Sequence, residues 1–236
     1  MVVQAPRSQP SHRPTRPPDE WDFNRRVVYV CTQHLNRTWE ESLMKIELGA
    51  RNCLYPMPTT LVGATVEGKP NFITIAHVGI MDLGSVSLGM AKAHYTNAGI
   101  IENATFSINL PSADMVKETD YCGLVSGKRV DKAQLFHVFY GNLKTAPMVA
   151  ECPISMECKL IKAVDFPKHD VFIGEIVTTY AEDAVLTDGV VDYGKVQPLL
   201  FTMVDQSYWK LGKRFAKAWS IGKELKGDTS PEAVGK

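Results

Sequence analysis

Residues 59–78 read TTLVGATVEGKPNFITIAHV. Two runs of branched apolar residues flank a short polar turn containing Gly68 and Pro70, the pattern of an antiparallel β-hairpin. An isolated hairpin is marginal in water, so the rest of the chain must supply further strands. Downstream it does. SVSLGMA (85–91) reads as a third strand, and TFSINLP (105–111) as a fourth, ended by Pro111. Ile154–Phe166 alternates, with Met156, Cys158 and Leu160 on one face and Ser155, Glu157 and Lys159 on the other, as in a half-buried strand. PKHD (167–170) turns the chain, VFIGEIVTTYAE makes the antiparallel partner, and PLLFTMV (198–204) adds a last strand. Helical patterning is confined to three places. One is His94–Asn103, which Thr96 or Asn97 can cap; another runs from Ser112 to Tyr121 with Asp114 in its first turn; the third is C-terminal and contains Trp219. LFHVFYGNL (135–143) reads as core packing followed by a surface turn. Many strands, short turns and few helices predict a mainly β fold, a β-barrel with peripheral helices.

The chain of 236 residues is long enough for a full core. Its 26 basic residues balance 26 acidic ones, and no basic stripe interleaved with aromatics appears, which argues against nucleic acid as a partner. No apolar run approaches membrane-spanning length, which argues against a membrane. The 5 cysteines lack any C-x-x-C pair and suit reduced thiols in a cytoplasm better than disulfides or zinc. The 6 histidines lie singly with no i, i+4 pair, so no metal site is expected. Residues 1–20 are rich in proline and poor in large apolar residues, and are expected to be disordered. Ordered patterning begins near Met44. The domain is accordingly expected over 44–225, with 1–43 an extension and 226–236 a flexible tail.

Tyr121–Lys132, YCGLVSGKRVDK, combines a Ser-Gly turn with lysines, an arginine and an aspartate. Backbone N–H groups at Ser126 and Gly127, with a cation nearby, are what a phosphate monoester needs; a solvated turn between helices is the plainer reading. A P-loop is excluded. Three residues rather than four separate Gly123 from Gly127, and Arg129 stands where Ser or Thr must reach the metal.

The turn GKPN, the segment SLGMAKAHYTN, the phrase TDYCGLVSGKRVDK, and HDVFIGEI followed by PLLF are similar to the flavin reductase-like family, and more narrowly to its flavoredoxins. The likeness runs from about Met44 to about Leu225 in order and spacing. It implies an FMN-binding split β-barrel, generally a homodimer with flavin near the subunit interface. Carried onto this sequence, it implies Asn71 near the isoalloxazine ring, and Thr74, Ile75, Ala76 and His77 alongside the flavin. It further implies Ser87, His94, Tyr95, Thr96 and Asn97 at ribityl and phosphate, Ser126, Gly127 and Lys132 at the anion site, and His169 and Phe201 near the cofactor. Lys128 and Arg129 read as solvated, Asp131 as a structural partner or helix cap rather than a catalytic acid, and Cys122, Cys152 and Cys158 as buried thiols. Tyr208 and Trp209 are candidates to close over the site. The activity implied is transfer of electrons from NAD(P)H through FMN to flavin or another acceptor. The alternative is a carrier exchanging electrons with ferredoxin-like partners. No covalent nucleophile, paired carboxylate or metal ligand is expected, and G-x-G-x-x-G is absent.

Overall fold

The computed structural model describes residues 45–226; the expectations for 1–43 and for 227–236 lie outside them. Residues 45–53 contribute no helix or strand, and the fold is that of the unit beginning at Leu54.

The hairpin forms as read: β2 (Thr60–Val66) and β3 (Lys69–Ile75) pair antiparallel around Glu67 and Gly68, both at positive φ. A two-residue strand β1 (Met57–Pro58) precedes it. β4 (Val78–Asp82), which the sequence pattern did not separate from the hairpin, follows directly and pairs with β5 (Ser85–Ala91). Then come α1 (Thr96–Asn103), β6 (Thr105–Leu110) and α2 (Val116–Leu124). The short pair β7 (Val138–Phe139) and β8 (Met148–Val149) leads to the long strands β9 (Ile154–Asp165) and β10 (His169–Ala181). A small pair, β11 (Leu186–Thr187) and β12 (Val190–Val191), and the four-residue helix α3 (Tyr193–Val196) lead to the hairpin β13 (Leu199–Thr202) and β14 (Ser207–Lys210).

Seven strands form one antiparallel sheet in the order β3-β2-β6-β9-β10-β5-β4. It is curled, because residues from opposite ends of that order, Ile75 of β3 and Leu88 and Met90 of β5, share one core with Val62, Phe106, Cys158 and Phe172. A second sheet, β1-β13-β14, stands beside it. The mainly β barrel of the sequence reading is therefore the fold observed.

Several local expectations are corrected. α1 begins at Thr96, not His94. Its N-cap is Tyr95, whose backbone is already helical. Neither candidate caps the helix, because Thr96 Oγ1 accepts from Asn71 Nδ2 at 2.7 Å and Asn97 Nδ2 donates to the Ala91 carbonyl at 3.0 Å. Ser112 precedes a 3₁₀ turn, Ala113–Met115, without a side-chain cap bond, and α2 runs on to Leu124. The C-terminal helix is absent among the described residues: Tyr208–Lys210 belong to β14, Trp219 lies in a turn, and Ile221–Lys226 form a 3₁₀ helix. Asn71 lies inside β3 rather than at the end of the turn, and His169 opens β10 rather than sitting in a loop.

The alternation of β9 is real, but its polar face is not solvent-exposed at the start: Ser155 and Glu157 are buried. The segment after β7 folds back over that face. The N–H groups of Asn142 (3.1 Å) and Leu143 (2.7 Å), the Asn142 amide (3.0 Å) and the Tyr180 hydroxyl (2.9 Å) all donate to the Glu157 carboxylate. Burial alone pushes this carboxyl's pKa up, but the donors outweigh it and hold it below the usual 4.5. A depressed carboxylate contributes stability that is present above its unfolded pKa and lost as pH falls through the folded one. Glu157→Ala should therefore cost roughly 3 kcal/mol, the scale of hydrogen bonds to a buried charge. Glu157→Gln should flatten the loss of stability on acidification below pH 4.5. Urea melts from pH 7 to pH 3 would show both.

Candidate functional site

Two clefts lie along β3. At its C-terminal end, residues 74–77, the facing Gly89 and Ala91 of β5, and the end of α2 at Gly123 and Leu124 enclose a mainly apolar cleft of about 290 Å³. Phe201, Met203 and Tyr208 of the β13–β14 hairpin wall it on one side. That wall is aromatic: the Phe201 ring lies 6.5 Å edge-on from Tyr55 and 5.6 Å from Tyr208. The Tyr208 hydroxyl donates to Asp120 at 2.9 Å, which ties the hairpin to α2, and burial together with that carboxylate raises its pKa.

Three histidines meet there. His77 and His169 have ring centroids 5.9 Å apart, and the Tyr55 hydroxyl lies 3.3 Å from His77 Nε2. Burial, and then the neighbouring His169, lower the pKa of His77; the same causes, joined by Lys132, lower that of His94. His94 Nδ1 and Thr59 Oγ1 are buried without a hydrogen-bond partner, and both residues line the cleft. The Gly89 N–H donates to the His77 carbonyl, and the Val78 N–H to that of Ala76. Such orphaned polar atoms on an otherwise apolar wall suit a flat heteroaromatic ligand with polar edges.

At the other end of β3, Lys69, Pro70 and Asn71, with Tyr95 and residues 127–132, line a polar cleft of about 430 Å³. Asn71 is its hinge. This side chain, 5% exposed, donates to Thr96, and its Oδ1 is packed against Gly127. The Ser126 turn is largely satisfied by itself: Lys128 N–H reaches Ser126 Oγ, while Arg129 and Val130 N–H reach the Ser126 carbonyl. The donors engaged are those of residues 128–130; the Ser126 and Gly127 N–H groups that the sequence singled out take no part in these bonds. Lys132 is buried, not solvated. Its Nζ donates to the carbonyls of Cys122 (3.0 Å) and Val125 (3.1 Å) at the end of α2, so one of its three donors remains for a ligand. Burial lowers its pKa. Asp131 caps the next 3₁₀ turn through Ala133 N–H, as expected, and Lys128 and Arg129 are exposed.

The fold thus gathers Thr74, Ile75, Ala76, His77, His94, His169 and Phe201 at one cleft and Asn71, Tyr95, Gly127 and Lys132 at the other. Thr96 and Asn97 are buried and line neither cleft. Ser87 shares the face of Gly89 and Ala91 but lines neither cleft. Thr59, Asp120, Gly123 and Met203 also line the apolar cleft, though the sequence reading assigned none of them to a site. The Asp120–Tyr208 pair spans 88 positions and no local pattern marks it. Cys122, Cys152 and Cys158 are buried, which pushes Cys122 up to about 11, Cys158 to about 12 and Cys152 well above its ordinary value. No three His, Cys, Asp or Glu side chains are placed so that they could hold a metal ion among the described residues, and no helix among them is long and apolar enough to cross a membrane.

A curled antiparallel barrel with an apolar cleft and a polar one along the same strand defines a class of proteins, and the family model for the flavin reductase like domain matches residues 51–203. The chain belongs to that family. It is similar in structure to a flavoredoxin from Methanosarcina acetivorans, at 46% identity over 77% of this chain and 98% of that one, with TM-score 0.75. A flavoredoxin of Desulfovibrio vulgaris (Miyazaki F) is 37% identical over 76% and 100% of the two chains, with TM-score 0.71. An uncharacterized protein of Archaeoglobus fulgidus is 32% identical over 135 residues, 56% of this chain and 76% of that protein.

A Cβ at residue 127 would overlap Asn71 Oδ1 and stand 2.9 Å from Tyr95 Cδ1. Gly127→Ala should therefore push Asn71 off Thr96 and destabilise the protein by about 1–3 kcal/mol, the usual range for overpacking. Gly68→Ala is a contrast for strain without crowding, since nothing lies near that position. Thermal melts, with proton spectra of the Asn71 amide, would distinguish a crowding effect from general weakening.

Proposed function

We propose that the chain is an FMN-binding flavoprotein oxidoreductase that passes electrons from NAD(P)H through FMN to free flavin or another acceptor. The observation that supports this most is the pairing of an apolar cleft bearing orphaned polar atoms with a polar, lysine-bearing cleft along one strand. The residues present fit the cofactor. Thr74–His77, His94, His169 and Phe201 would hold the ring system, with the N–H groups of Ala76 and His77, between β3 and β4, as main-chain donors. Tyr95, Gly127 and Lys132 would hold the phosphate, with Asn71, Thr96, Asn97 and Ser126 bracing them; Ser87 lies further along the same face.

Bound FMN would supply the electron-transfer chemistry. The chain's own part is to bind, orient and exclude water. The aromatic wall of Phe201 and Tyr208 limits solvent at one side, and the imidazoles set the polarity at the other. Buried thiols with raised pKa values offer no thiolate, so no cysteine relay is invoked. A second reading, a carrier exchanging electrons with ferredoxin-like proteins, is favoured by the likeness to two flavoredoxins. Stopped-flow mixing of the FMN-loaded protein with NADH and with NADPH separates them: turnover-competent reduction supports the reductase, and reduction only by protein donors supports the carrier.

Lys132→Ala removes a charge-assisted hydrogen bond of about 1.5–3 kcal/mol. FMN affinity should fall by roughly tenfold to a hundredfold, with some loss of stability because two α2 carbonyls lose their donor. Lys128→Ala should do much less. Fluorescence titration with FMN would show equal effects if the phosphate were placed wrongly.

The domain is proposed to span 44–225 and to form a homodimer. LFHVFY is not the apolar surface that a dimer would bury, since Phe136 is buried and Val138 and Phe139 are half-buried, in keeping with core packing. The surplus lies instead on the β4–β5 hairpin, where Ile80 is 84% exposed and Leu83 is fully exposed. A chain beginning at Met44 should bind FMN and sediment as a dimer at micromolar concentration. A flavin-loaded monomer would remove the dimer, and loss of flavin on truncation would move the domain boundary.

A further inference from the structure

The apolar cleft carries three imidazoles from three distant segments: His77 from the β3–β4 turn, His94 from the turn before α1, and His169 from the start of β10. The His77 and His169 rings are 5.9 Å apart, and His94 Nδ1 is buried with no partner.

The groups facing them are few. The Tyr55 hydroxyl meets His77. From α2 comes Asp120, the one acid lining the cleft among the described residues, and it already accepts from Tyr208 on β14. Lys132 bears on His94 as a positive charge. Beside His169, Lys92 is ion-paired with Asp165 and Asp170. A proton on any one ring opposes a proton on its neighbours, and burial together with that repulsion lowers the pKa values of His77 and His94, which disfavours charge on those two rings in the free protein. A negative charge brought into the cleft reverses that balance.

We propose that His77, His94 and His169 form a proton-linked counter-charge site, which takes up one proton when a bound planar heteroaromatic ring gains negative charge. This rests on the FMN reading above, the isoalloxazine being such a ring on two-electron reduction. The balance closes. A hydride donor of the nicotinamide class delivers two electrons and one proton to the ring. The second proton comes from solvent and stays on an imidazole, so the charge added to the ring is neutralised by the protein. The macroscopic titration belongs to the cluster as a unit.

The test is an NMR titration of the imidazole ring protons in the FMN-loaded protein, oxidised and then reduced anaerobically with dithionite, with signals assigned through single His→Gln variants. The expected result is at least a tenfold rise in proton affinity of the cluster on reduction, so that a cluster signal moves to its protonated position at pH 7. His137, exposed and paired with Glu151, should not move. Indicator-dye measurements should show proton uptake on reduction falling in His169→Gln, and if that variant releases FMN, the wild-type titration alone decides. Identical titrations in both redox states would overturn the counter-charge site while leaving FMN binding intact. A protein that takes up no FMN would overturn both.

Discussion

The hydrogen bond from Asn71 to Thr96 is the constraint on which the site depends. It joins a central residue of β3 to the first turn of α1, and the same amide carries the close approach of Gly127. Three segments are thereby held at one point: the strand that runs along both clefts, the helix entry that delivers His94 and Tyr95, and the turn that leads to Lys132. A buried amide without partners would cost more than the bond returns in water, so the arrangement is stable only as a complete set. Helix α1 is positioned by a second contact. A Cβ at Gly99 would overlap the Thr65 carbonyl, so the helix lies directly on β2, and Asn103 donates to that carbonyl at 2.8 Å.

Polar residues buried against backbone recur throughout the barrel. On β6, Phe106 and Ile108 enter the core while Ser107 and Asn109 face outward, yet both polar residues are fully buried. Ser107 donates to the Pro147 carbonyl, and Asn109 both donates to the Leu61 carbonyl at 2.8 Å and accepts from Val149 N–H at 2.9 Å. Glu157 does the same for the preceding part of that covering segment. The loop is thus fastened to the outside of the sheet by polar groups as well as by apolar packing, in which Phe136 and Val149 share a buried cluster with Leu61 and Phe72. This explains how a stretch with little regular structure can be held in place.

That arrangement marks the limit of a strand pattern. Alternation of apolar and polar residues reports which side of a strand faces the core, and it did so for β9. It does not report whether the other side meets water or another part of the chain, because a hydrogen-bonded polar residue is equally at ease in either place. Helix ends fail for a related reason. Thr96 has the chemistry of a cap, but Asn71, 25 positions away, claims its hydroxyl.

The sequence by itself determined the hairpin, the order of the main strands, the barrel class, the buried thiols and the family. All of these follow from local periodicity, from turn residues at fixed spacing, or from several phrases kept in register. Tertiary structure alone decided that Lys132 holds the end of α2, that Asp120 and Tyr208 close one wall, and that three scattered histidines share one cleft. Each of those joins residues far apart in the chain. Their meeting depends on how the sheet curls and where the loops fold back, which no short window of sequence encodes.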